Sequence, residues 1–284
     1  MKFAVIIVTY TSPEQTKRMI EQLNNGRFDF YIHLDKKVDI ETHRCLFDVP
    51  NVYFVQDRID IKWAGYTTVR AILSSIRQIA ASGKKYAFIS TISGQDYPIK
   101  SAGAIAEFLT QNVGKEFTNY NDFSDWTEAW ARVDRYHLTD FTFKGKYALE
   151  KLINFLTPKR RFPLKNITLR GKETFWTLSQ DCAVWVANYL DANPKLTRFL
   201  KYTWGSDEFI FQTLIMNSPF KDNVVNNNLR YINWPPKGDR PNFFVAADFD
   251  RIMAADGLFG RKFDLRVDAA IFDLLDQANN KIPV

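Results

Sequence analysis

The run Phe3-Ala4-Val5-Ile6-Ile7-Val8 is apolar at every position and gives way to polar residues only at Thr9-Tyr10-Thr11. A strand that alternates polar and apolar residues has one wet face, whereas a short unbroken apolar run with β-branched residues suits a strand covered on both faces. Ser12-Pro13-Glu14 follows at once and supplies an N-cap, a first-turn proline and a first-turn acid for a helix reaching Asn24. Met19, Ile20 and Leu23 fall on one face of it. Residues 28–34 and 51–55 read as two further strands and 67–81 as a helix, with Val69, Ile72, Leu73, Ile76 and Ile79 at helical spacing. Residues 86–92 then read as another buried strand. The order strand, helix, strand, strand, helix, strand predicts an α/β fold: a mainly parallel central sheet, helices on both faces, and ligands at the carboxyl ends of the strands.

Beyond residue 100 the pattern loosens. A helix is predicted over 102–111, and the aromatic, polar stretch 114–136 reads as loops with little regular structure. Residues 158–172 contain Lys159, Arg160, Arg161, Lys165, Arg170 and Lys172 without one acid, an exposed basic excursion. A strand over 176–178 and helices over 181–191 and 206–216 complete the reading. With 46% hydrophobic and 25% charged residues, wholesale disorder is excluded. The aromatic share of 15% suits stacking on sugars or bases as well as plain packing. A net charge of +6 favours an anionic partner: a nucleotide, nucleic acid, a phospholipid-linked acceptor or a membrane surface. The chain holds only Cys45 and Cys182, with no CxxC pair, and its longest N-terminal apolar run is far short of a membrane span, so a cytoplasmic location is the expectation.

Three histidines form no HExxH, and no phosphate-cradling glycine loop or GxSxG elbow occurs. In Trp204-Gly205-Ser206-Asp207-Glu208-Phe209, Ser206 can cap a helix that carries Asp207 and Glu208 in its first turn, where the exposed N–H groups favour carboxylates. Either a catalytic acid or an ordinary acidic first turn has that pattern. Asp35 ends a strand, the place of a ribose- or uracil-binding acid and equally of a turn residue. Asp96, after the Ser93-Gly94-Gln95 turn, is in the same position. Asp248-Phe249-Asp250 spells the DxD that can hold a divalent ion, but the helical residues after it make Asp248 an N-cap. Arg240 and the run Arg261-Lys262-Phe263-Asp264 offer fixed cations, able to neutralise a leaving diphosphate or simply to sit on the surface.

In this order the segments Val8-Thr9-Tyr10, Tyr31-Ile32-His33-Leu34-Asp35, Trp63-Ala64-Gly65-Tyr66, Ser93-Gly94-Gln95-Asp96-Tyr97-Pro98-Ile99-Lys100, Ser206-Asp207-Glu208-Phe209 and Leu258-Phe259-Gly260-Arg261-Lys262-Phe263-Asp264 resemble the core-2/I-branching β-1,6-N-acetylglucosaminyltransferase and peptide O-xylosyltransferase family. The resemblance implies a GT-A-type glycosyltransferase fold in one domain over 1–284, with 1–100 as nucleotide-binding half and 101–284 carrying the acceptor side, the base and the diphosphate-binding segment. It implies an inverting, metal-independent transfer of GlcNAc or xylose from a UDP-sugar to a glycan hydroxyl, with no cofactor and no metal ligand. Carried across, Glu208 is the general base. Val8, Tyr10, Asp35, Trp63, Asp96, Arg240 and Lys262 bind the nucleotide-sugar, and Trp176 and Trp234 face the acceptor. With so few cysteines the chain resembles a bacterial relative, which implies surface polysaccharide synthesis on a glycan or lipid-linked glycan acceptor. The expected partners therefore include an anionic membrane at the inner face and no nucleic acid; a non-catalytic carbohydrate-binding protein and a basic nucleic-acid binder are the rival readings.

Overall fold

The computed structural model describes residues 1–236, 238 and 240–281. The first part runs β1 (Phe3–Thr9), α1 (Pro13–Leu23), β2 (Phe28–Leu34), β3 (Val52–Phe54), α2 (Tyr66–Ala81), β4 (Phe88–Ser93), β5 (Asp96–Pro98) and α3 (Ala102–Gln111). The second runs β6 (Glu116–Asp122), α4 (Trp130–Asp134), α5 (Lys146–Leu156), β7 (Arg170–Leu178), α6 (Gln180–Ala192), α7 (Pro194–Leu200), α8 (Ile210–Ile215), β8 (Val224–Asn226), β9 (Arg230–Ile232), α9 (Phe249–Met253), β10 (Phe259–Arg261) and α10 (Ala270–Lys281).

Seven strands form the main sheet in the order β3-β2-β1-β4-β7-β6-β8. β1 runs parallel to β2 and β4, β2 to β3, and β6 to β8; β7 alone runs against its neighbours. β1 shows why its run has no polar gap. Ala4 and Ile6 point into a core shared with Val69, Ile72 and Ile76 of α2, while Phe3, Val5 and Ile7 point into a second core with Met19, Ile20 and Leu23 of α1. Helices therefore cover both faces, the α/β architecture expected from the sequence. β5, β10 and β9 make a small second sheet beside the main one. No helix among the described residues is long and apolar enough to cross a membrane.

The loosely patterned stretch after residue 113 departs from expectation. It contains β6, which pairs with β7 and β8 inside the main sheet, and then α4. Phe117 and Phe123 go into the core while residues 119–122 between them stay partly exposed, so an aromatic strand with little alternation passes for a loop. The basic excursion is only partly free. Arg160 lies across the Phe199 ring at 3.7 Å and donates to the carbonyls of Phe199 and Arg135, and Arg170 opens β7 by pairing with Asp122.

Candidate active site

Since β2 and β4 flank β1, and α1 and α2 leave to opposite faces, a crevice opens at the carboxyl end of β1. The register sets Val8 between His33 and Ser93 and Thr9 beside Leu34. Val8, Tyr10, Asp35 and the turn before β5 thus share one edge. Tyr10 is exposed there. Asp35 is buried, and its carboxylate accepts from the Lys37 N–H at 2.9 Å and pairs with Lys37 Nζ at 3.2 Å. Gly94 crosses so close to β1 that a Cβ would sit 2.4 Å from Thr9 Oγ1, so only glycine fits the turn.

Asp96 is fully buried. Its Oδ2 accepts from the Ser93 N–H and from Arg261 Nη1 at 3.3 Å, so it holds Arg261, the last residue of β10, while its Oδ1 has no protein partner. The Arg261-Lys262-Phe263 segment is stitched to the same edge. Phe263 N–H donates to Gln95 O at 2.9 Å, and the buried Gln15 of α1 donates to both Gly94 O and Phe263 O while accepting from Leu265 N–H. Gln15 was not visible as a site residue, since a polar residue in a first helical turn is unremarked until its partners, 79 and 248 residues away, are known. Lys262 lies over the Phe243 ring at 4.2 Å. Burial and the nearby charges of Arg261 and Arg240 press its ammonium below the usual lysine range. Asp96 matches Arg261, but Arg240 and Lys262 add positive charge beyond that pair, which suits an anion.

A second cluster lies on the β7 side. Arg230 of β9 is half-buried against the Phe175 and Phe259 rings, and the loss of water around its guanidinium brings it down to about 10. Glu173 of β7 has its carboxyl pushed up by burial; the cations Lys172, Arg230 and Arg261 oppose that rise and the Glu208 carboxylate adds to it. Glu208 ends a short 3-10 turn, Ser206–Glu208, rather than opening α8. The expected Ser206 cap is absent: Gly205, at φ 61°, turns the chain, and a break at Phe209 separates the turn from the helix. The Gly205 N–H donates to Ala64 O at 2.7 Å, joining this turn to the Trp63-Ala64-Gly65 loop.

The two adjacent acids divide as their directions require. Asp207 turns inward, accepts from Thr174 Oγ1 at 2.7 Å, and has its carboxyl raised by burial and by the Glu208 charge. Glu208 is partly exposed and gives Oε2 to Arg132 of α4. The Arg132 guanidinium lies between the Trp126 ring at 4.5 Å and the Trp204 ring at 4.3 Å, and Trp204 meets Trp63 edge-on at 5.4 Å. Beneath the turn, Gly171 of β7 leaves no room for a side chain: a Cβ would lie 2.6 Å from Glu208 O and 2.4 Å from Phe209 Cβ. Trp63, Arg132 and Trp204, with His137, Tyr147 and Glu150, line a cleft of about 430 Å³.

Trp176 is not an acceptor-facing residue. It has no exposed surface and packs on Phe211 in the core, because its position on β7 points away from the crevice. Trp234, beyond β9, and Arg240 are both exposed. Asp248 closes the 3-10 turn Ala246–Asp248, where it accepts from the Val245 N–H at 3.1 Å and pairs with Arg251 at 2.7 Å; it makes no side-chain cap to α9, so the expected N-cap is not formed. Among the described residues no three His, Cys, Asp or Glu side chains gather closely enough to hold a metal ion.

Comparison with known proteins gives a consistent result. Residues 2–253 match the family model described as Core-2/I-Branching enzyme. Among curated proteins, Xylosyltransferase 2 of Homo sapiens is 26% identical over 302 residues, covering 96% of this chain and 33% of that protein. Xylosyltransferase 1 of Rattus norvegicus is 27% identical over 295 residues, covering 96% of this chain and 34% of its own length. The chain spans about a third of the length of the curated relatives it matches.

Proposed function

The chain belongs to the Core-2/I-branching enzyme family, and on that footing we propose that it is a glycosyltransferase moving GlcNAc or xylose from a UDP-sugar to a hydroxyl of a glycan acceptor. The reaction inverts the anomeric carbon. The acceptor O–H gives its proton to Glu208 as its oxygen bonds to the anomeric carbon, and the bond from that carbon to the diphosphate breaks on the opposite side. The electron pair leaves with UDP. Arg132 holds one carboxylate oxygen, Oε2, and so orients the other toward the incoming hydroxyl. Arg240 and Lys262, with Arg261 alongside, take up the charge that develops on the diphosphate, in place of a divalent ion. Tyr10, Val8 and Asp35 bind the uridine end, and Trp63 and Trp234 give stacking surfaces on the sugar side.

The observation that supports this best is the partly exposed Glu208 carboxylate, held through one oxygen by Arg132 beside the cleft that Trp63 and Trp204 line. One base and permanent positive charge are what a single-displacement transfer needs. Screening UDP-sugars for slow donor hydrolysis, with and without EDTA, tests it without knowledge of the acceptor. Turnover should survive EDTA, and Glu208→Gln should lower it about a hundredfold or more with little change in KM for donor. Loss of all turnover in EDTA, restored by Mn²⁺, would return the diphosphate to a metal.

A further inference from the structure

α5 is amphipathic the wrong way round. Its inner side is polar: Glu150 accepts from the Leu138 N–H at 2.8 Å and Asn154 bonds both ways with the Tyr136 backbone. Its outer side carries Tyr147, Leu149, Leu152, Phe155 and Leu156, and no residue of the helix is fully buried. Phe155 is 84% exposed, Leu156 69% and Leu152 52%. Phe141 and Phe143, in the loop before it, are exposed as well. Scattered exposed apolar residues are normal, but a contiguous apolar helix face is not.

The charge around this helix identifies what covers it. Residues 141–165 hold seven Lys and Arg and one acid, Glu150, whereas the whole chain holds 38 and 32. The remaining 259 residues therefore carry 31 of each sign, and the entire net charge of +6 is confined to this segment. Lys144, Lys151, Arg161 and Lys165 are exposed around the apolar face. An apolar face ringed by cations fits the interfacial region of an anionic bilayer, where rings and leucines enter the acyl boundary and lysines meet phosphate headgroups. At 11 residues the helix lies along such a surface and does not span it.

We infer that the outer face of α5 and its flanking lysines and arginines dock the protein on an anionic phospholipid surface. Since the same helix also supplies Tyr147, at the start of its outer face, and Glu150, on its inner face, to the cleft lined by Arg132, the partner of Glu208, docking brings the cleft to the membrane. The acceptor is then a membrane-borne, lipid-linked glycan, an extension that rests on the glycosyltransferase reading.

The test is co-sedimentation of the full chain with vesicles of phosphatidylcholine alone and of phosphatidylcholine mixed with phosphatidylglycerol, alongside light scattering of the free protein. The chain should bind the mixed vesicles, release with salt, and ignore the neutral ones. Leu152→Ser with Phe155→Ser should lower partitioning about tenfold or more, and Lys144→Gln or Lys151→Gln about fivefold each. Donor hydrolysis without vesicles should be unchanged in all of them, which separates failure of docking from failure of the enzymatic reading. Equal vesicle binding by wild type and the double variant overturns the inference. So does absence of binding by the wild type, or a dimer that the double variant converts to monomer, which would make the face a self-association surface.

Discussion

α2 and α5 both look amphipathic in sequence, yet they bury opposite sides. α2 sends Val69, Ile72, Leu73, Ile76 and Ile79 into the core between itself and β1, and its charged residues Arg70 and Arg77 face outward. α5 turns Glu150 and Asn154 inward and leaves its leucines and Phe155 outside. Periodicity shows that a helix has an apolar partner. It does not show that the partner is the chain's own core. For α2 the neighbouring strands β1, β2 and β4 bring Ala4, Ile6, Tyr31 and Ile89 to the same core, so the partner is present; for α5 the inner neighbours are backbone groups of 136–138, which need hydrogen bonds and not hydrocarbon.

The sharpest way to break this comparison is to cut the same bulk from each helix. Ile76 is buried in the α2 core, and Ile76→Ala should destabilise the protein by about 2–5 kcal/mol through lost transfer energy and a residual cavity. Urea unfolding reads the change directly as a lower midpoint at unchanged slope.

Acid should expose the same half of the molecule. His33 on β2 is fully buried; its Nε2 accepts from the Ile59 N–H at 3.0 Å, and burial lowers its pKa to about 4. Unfolded chains protonate their histidines near 6.5, so between 6.5 and about 4 the unfolded state binds more protons and stability falls as pH falls. Above 6.5 the contribution is fully present. The loss reaches about 3 kcal/mol by the lower end of the window. His33→Gln keeps an acceptor for Ile59 and should flatten the slope of stability against pH across it; an unchanged slope would assign the acid sensitivity elsewhere.

Where the two regions meet, Gly171 sets the height of the Glu208 turn. Gly171→Ala should cost about 1–3 kcal/mol through overpacking against Phe209 and, by lifting Glu208, reduce turnover while leaving KM for donor near its wild-type value. A variant with normal turnover would show that the carboxylate's position is not set from below.

The half built on β1 to β4 was legible because each of its elements states its own period: an apolar run without gaps for a strand covered on both faces, a three-to-four spacing for its helices. β2 and α3 run over the residues the sequence marks. Of the edge residues, Asp35 could be picked out from that topology, whereas Val8 and Tyr10 were marked only by the family resemblance. What stayed hidden depends on distance along the chain. Arg132 grips a carboxylate 76 residues later, and its own neighbourhood of Trp126 and Trp130 has no period to mark α4. α5 went unmarked because nothing flags its start: Gly145 precedes it with no side-chain cap, and its first turn holds no acid. The Ser206 cap was a sound local inference overruled by Gly205, whose left-handed backbone starts the turn one residue earlier.

The smallest expected effect carries the most weight for the comparison. Leu152→Ala removes as much side chain from α5 as Ile76→Ala removes from α2, and alanine is the better helix former. With the native leucine about half exposed, there is little burial to lose and no cavity to leave, so stability in solution should change by no more than about 0.5 kcal/mol in either direction. The same variant should nonetheless weaken vesicle binding, since there the leucine gains a hydrocarbon neighbour that the folded chain does not give it. If Leu152→Ala instead lowers the urea midpoint as far as Ile76→Ala does, the outer face of α5 is already covered in solution. The two helices would then differ only in which molecule covers them, with a second copy of the chain taking the place of the membrane.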